Sequence, residues 1–156
     1  MSFADDIEKF ARNTELEILR VKRATAFKLF SAIIKETPVG NPDLWQSSWL
    51  DSDGRAFDPP EGYVGGRLRA NWMTSLNGFD DDTTNSTDQE GAVSLLLSKI
   101  SNCQLPDEIC ISNSLPYAHK IEYDGHSTQA PEGMVRRNVT RFQKIVSDQL
   151  KRKGFY

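Results

Sequence analysis

The apolar periodicity from Ser2 to Glu36 constrains this chain more than any other feature. Phe3, Ile7, Phe10 and Thr14 fall at helical spacing. Leu16, Leu19, Ala26, Phe27, Phe30, Ile33 and Ile34 continue the apolar face, shifted around the axis. Ser2 and Asp5 stand at the spacing of a capping pair, and Asp5 and Asp6 favour the positive end of a helix. Proline disfavours helical geometry in the residue before it, so Thr37-Pro38 ends the run. At 1.5 Å per residue the helix reaches about 50 Å. That is long for a chain of 156 residues. Part of it is therefore expected to touch something beyond its own core. Asn13-Thr14 is where it would bend.

Residues 38–66 carry four of the seven prolines and five of the ten glycines, which predicts an extended loop. Trp45, Trp49 and Phe57 are expected to pin it to the body. In "RLRANWMTSLN", Leu68, Ala70, Trp72, Thr74 and Leu76 alternate, the period of a strand with one buried face. Asn77 to Gly91 holds five carboxylates and no basic residue, and reads as a loop. Val93, Leu96, Leu97 and Ile100 predict a short helix over 92–102. Ile109 and Ile111 predict a second strand, followed by a turn at Gly125. Glu132 to Arg152 reads as one last helix with Met134, Val135, Val139, Phe142, Ile145, Val146 and Leu150 on its apolar face. The expected fold class is α+β. A small, mainly antiparallel sheet is flanked by a long N-terminal helix and a C-terminal helix. One domain divides into 1–36 (helix), 38–66 (loop), 67–131 (sheet and short helix) and 132–152 (helix).

A net charge of −3 gives the chain no general affinity for nucleic acid. The basic last helix is the exception, since Arg137, Arg141 and Lys144 at spacings of four and three could meet phosphates. A nucleic-acid-binding module built on it is the alternative function. The N-terminus is acidic and amphipathic, unlike a signal peptide, and no apolar run reaches the ~18 residues of a membrane span. Cys103 and Cys110 are expected to be ordinary thiols.

His119 and His126, the two histidines, flank Glu122 and Asp124. Metal sites need three or four ligands, and this set lacks an established metal spacing. No nucleophile elbow occurs, and neither "DSDG" nor "DDDTTNSTDQE" meets the glycine and glutamate requirements of an EF-hand loop. No cofactor, metal or catalytic group is expected, and His119, Lys120 and Glu122 are expected to face a neighbour or water.

Several blocks stand in a recognisable order: Thr37-Pro38-Val39 after the long helix; Gly66-Arg67-Leu68-Arg69 with Trp72; Asn113 with Pro116-Tyr117-Ala118; Glu122-Tyr123; and Gln129-Ala130-Pro131 with Gly133-Met134-Val135. In that order and spacing the chain resembles the tail completion (neck, head–tail joining) proteins of long-tailed bacteriophages, the lambda protein Z group. It departs from them by a longer insertion, Asn41 to Gly65, and by Asp124 between Tyr123 and Gly125. The resemblance implies a structural virion protein, not an enzyme. It implies a homo-oligomeric ring, a hexamer, at the head-proximal end of the tail, assembled in the host cytoplasm. The partners implied are further copies of the chain, a tail terminator or tail tube protein, and head–tail connector proteins. DNA is cargo passing through the lumen. His119, Lys120, His126, Arg136, Arg137 and Arg141 are the candidate interface residues. A lumen lined by the three arginines would argue against free passage of DNA.

Overall fold

The computed structural model describes residues 2–44 and 61–155. Its first element, α1, is a helix over Phe3–Glu36. The capping box forms as expected: the Asp5 amide donates to Ser2 Oγ (3.3 Å), and the Ser2 amide donates to Asp5 Oδ2 (2.7 Å). The helix does not break at Asn13-Thr14, where Thr14 Oγ1 donates to the Phe10 carbonyl at 2.9 Å. Thr37 leaves it in an extended conformation before Pro38.

A 3₁₀ turn, Pro42–Leu44, follows, and the expected anchors Trp45, Trp49 and Phe57 lie outside the described residues. The next elements are α2 (Arg67–Ala70), β1 (Met73–Leu76), α3 (Gln89–Asn102) and β2 (Ile109–Ser112). They are followed by α4 (Ala118–Tyr123), α5 (Arg136–Val139) and α6 (Phe142–Arg152). The strands pair antiparallel, Met73 opposite Ser112 and Leu76 opposite Ile109. The class is α+β, with the small sheet and the two terminal helices that the sequence predicts.

Three expected elements differ. The strand proposed for Arg67 onward begins only at Met73, because Gly66 (φ 113°) turns the chain into the single turn of α2. Leu68, Ala70, Trp72 and Thr74 are still buried, so the alternation reported burial and not backbone form. The stretch after β2 is helical over Ala118–Tyr123, not a strand end. The last helix is not continuous from Glu132. Gly133 (φ 84°) holds a turn, Pro131 stands outside any helix, and α5 and α6 are separated at Thr140-Arg141. As a result Val139 and Phe142 stay exposed, while Met134 and Ile145 are buried.

Asp88 caps α3, accepting from the amides of Glu90 (3.0 Å) and Gly91 (3.2 Å), so that helix starts before Ala92. The core gathers Leu29, Ile33 and Ile34 of α1, Leu96 and Ile100 of α3, Leu68, Trp72, Ile121, Met134 and Ile145. Ion pairs orient α6 against α1: Arg141 lies 3.0 Å from Glu36, and Lys153 lies 3.9 Å from Glu17. The two helices therefore run antiparallel, and α6 ends opposite Glu17.

Candidate functional site

Two linked clusters join the C-terminal end of α1 to the rest of the chain. The first centres on Thr37, which is fully buried. Its hydroxyl donates to the Ile33 carbonyl (2.6 Å) and accepts from the indole Nε1–H of Trp72 (2.7 Å). Its carbonyl accepts from Arg69 Nε (3.1 Å) and Nη2 (2.6 Å), and Arg69 Nη1 donates to Gln89 Oε1 (2.7 Å). Burial pushes the Arg69 guanidinium below its ordinary pKa. Arg67 Nε donates to the Thr84 carbonyl (3.1 Å). Asn71 clamps the same loop: its Nδ2 donates to that carbonyl (3.0 Å), and its Oδ1 accepts from the Thr84 amide (2.7 Å). Asn113 Nδ2 reaches the Leu68 carbonyl at 2.8 Å. The Gln129 side-chain amide pairs with the backbone of Val39 in both directions, at 3.2 and 3.4 Å.

The second cluster is acidic at its centre. Glu36 accepts from Asn138 Nδ2 (3.2 Å) and pairs with Arg137 Nε and Arg141 Nη1, each at 3.0 Å. Arg137 also reaches the Glu36 and Gln129 carbonyls. The buried Glu122 carboxylate accepts from three successive backbone amides: Met134 (2.5 Å), Val135 (2.9 Å) and Arg136 (2.9 Å). These amides open α5 and have no partner inside it. Arg136 Nε adds an ion pair with Glu122 at 3.4 Å, and its guanidinium lies 5.2 Å from the centre of the Tyr123 ring. A side chain at Gly133 would place its Cβ 2.6 Å from the Glu122 carbonyl, so the turn needs glycine for space as well as for its φ.

Glu122 therefore corrects the sequence reading, which placed it facing outward. A buried carboxylate must be paired or hydrogen-bonded, and here the capping amides supply that. Its oxygens are taken by the chain, so it is not a free ligand beside His119 and His126. Both histidines are exposed, as is Lys120. His119 lies against Tyr123 with ring centres 4.7 Å apart. Tyr117 and Tyr123 are also exposed, and partial desolvation raises the Tyr117 pKa. Pro116 and Pro131 are exposed; Pro38, Gly66, Leu68, Ala118, Ala130 and Met134 are buried. Arg137 and Arg141 both pair with Glu36; Arg137 is largely covered and Arg141 stays exposed. Glu36, Asn71, Gln89 and Asn138 were missed from sequence, because each acts on residues 13 or more positions away. Among the described residues, one group of carboxylates is close enough to share an ion, Asp80, Asp81 and Asp82 on the loop after β1.

The arrangement is that of a clamp: polar side chains from four parts of the chain close on one another's backbone. No family model, curated protein or solved structure matches the chain.

Proposed function

We propose that this chain is a structural protein of a phage virion that completes the head-proximal end of the tail and joins it to the head, as a ring around the DNA channel. One observation carries the reading most: the ordered blocks that resemble the tail completion proteins are the parts that bond to each other. Thr37 meets Arg69 and Trp72, Val39 meets Gln129, Asn113 meets Leu68, and Glu122 meets Met134. Blocks with that role describe how a scaffold is built, which suits a protein whose work is to hold a position between larger assemblies. The rival reading, a nucleic-acid module on the basic last helix, is weakened because Arg136, Arg137 and Arg141 already pair with Glu122 and Glu36.

The reading is tested in a phage carrying the gene. Deleting it should give filled heads and separate tails under the electron microscope, with joining restored when the protein is supplied. Normal infectious particles without it would overturn the role.

A further inference from the structure

The apolar face of α1 outlasts its own core. Beyond Glu17, where α6 ends, the stripe continues through Phe10, Ile7 and Phe3 with nothing over it among the described residues: these side chains are 71%, 53% and 81% exposed. Asp6 and Glu17 border the stripe on one side, and Glu8 and Glu15 lie toward the other, at the 100° step of a helix. Residues 3–18 carry five carboxylates against Lys9 and Arg12.

The complementary surface lies on α6. Phe142, Val146 and Leu150, with Gln143 and Ser147, line an open groove of about 240 Å³ beside the face that packs on α1. Residues 141–153 carry five basic residues against Asp148 alone; Arg141 and Lys153 pair with Glu36 and Glu17 of the same chain, which leaves Lys144, Lys151 and Arg152 for a neighbour.

We infer that the N-terminal half of α1 of one copy docks in the α6 groove of the next copy. Charge selects this occupant. Two α1 stripes face to face would set carboxylates against carboxylates, whereas stripe on groove sets them against the basic helix. Because the two surfaces differ, the contact is head-to-tail, and repeating it generates a closed ring or a filament. The inference gives the ring of the proposed function its interface and rests on that reading for its purpose only.

The test uses the full chain in two forms: a stripe variant, Phe3→Ser with Phe10→Ser, and a groove variant, Phe142→Ser. All three sites are exposed, and circular dichroism with thermal melting checks that each variant folds. In sedimentation at low salt the wild type should exceed a monomer. Each variant alone should self-associate at least about tenfold more weakly. Mixed, the two should form a complex of two chains, since one keeps its groove and the other its stripe. Added salt should weaken that complex. A wild type that stays monomeric at ~100 μM, a concentration that would populate even weak contacts, overturns the inference. So does a groove variant that associates like wild type, or a stripe variant that fails to pair with the groove variant. The two readings fail separately. Absence of pairing leaves the joining role standing if heads and tails still separate without the protein. Pairing in a phage that joins normally without the protein removes the role and leaves the interface.

Discussion

The two halves of α1 carry the same kind of face and meet opposite fates. From Leu19 to Ile34 the apolar residues pack against α3 and α6, and Ile33 and Ile34 are among the most buried side chains described. From Phe3 to Ile18 the apolar residues, shifted around the axis, lie in solvent. Periodicity therefore predicts the helix and an apolar face in both halves, but not which half the fold covers. Anchoring divides the halves in the same way. Past Leu19, Lys22 and Arg23 bond the Asp107 and Cys103 carbonyls. Up to Leu16 the side-chain bonds are local, the capping box, Arg12 to Glu8 and Thr14 to Phe10, and the first distant partner is Lys153 at Glu17.

Paired truncations press hardest on that contrast. Ile34→Ala should cost about 2–5 kcal/mol of unfolding free energy, the range for emptying a large buried aliphatic site. Phe10→Ala should change the stability of the isolated monomer by less than about 0.5 kcal/mol. Urea unfolding at low protein concentration measures both, and equal losses would mean that the bare half is covered within its own chain.

Glu122→Ala should have the next largest effect. It strips three amides of their acceptor in a buried site, and unsatisfied buried groups cost about 1–3 kcal/mol each, less where water can enter. A loss of at least about 2 kcal/mol is expected on that scale, with faster hydrogen exchange at Met134 to Arg136. Glu122→Gln should lose less, because one carbonyl oxygen remains. A neutral Glu122→Ala would mean that the cap does not hold the turn into α5.

The smallest effect is in pH. The Asn77 amide, with the Gln104 backbone, holds the Asp107 carboxyl below its ordinary pKa; the Ser2 backbone and hydroxyl do the same for Asp5. A carboxylate with a lowered folded pKa contributes stability above its unfolded value of about 3.9, and loses it as pH falls through the folded value. Exchange of the Gln104 and Ser2 amides, which donate to these two carboxylates, should accelerate as pH drops below ~4 relative to intrinsic rates. Asp107→Asn should remove the first acceleration and leave the second. Persistence of the Gln104 change in that variant would place its cause elsewhere.

The fold was legible where its causes are local. Caps, periodicity and Pro38 all act within the span of α1, and Val93, Leu96 and Ile100 placed α3 in the same way. Legibility failed where a distant group decides. Nothing near Glu122 announces that amides 12 to 14 residues later will bury it. Without that cap the run from Glu132 looks like one helix, although its helical hydrogen bonding starts only after Val135. In Arg67–Trp72 the alternation marked the right buried residues. The backbone turned instead of extending because Gly66 takes a positive φ and the two arginines reach carbonyls 17 and 32 positions away. The blocks behind the family resemblance bond to one another through Thr37, Arg69, Gln129 and Glu122, contacts that their order in the sequence does not specify.

Hydrogen exchange along α1, followed as protein concentration is raised, tests the central claim most directly. At low concentration the amides of residues 7–16 should exchange far faster than those of 25–36. As concentration rises, protection should appear over 7–16 and over α6 together, with little change at 25–36. Protection of both halves at the lowest concentration, or a first half that stays unprotected while the chain self-associates, would contradict it.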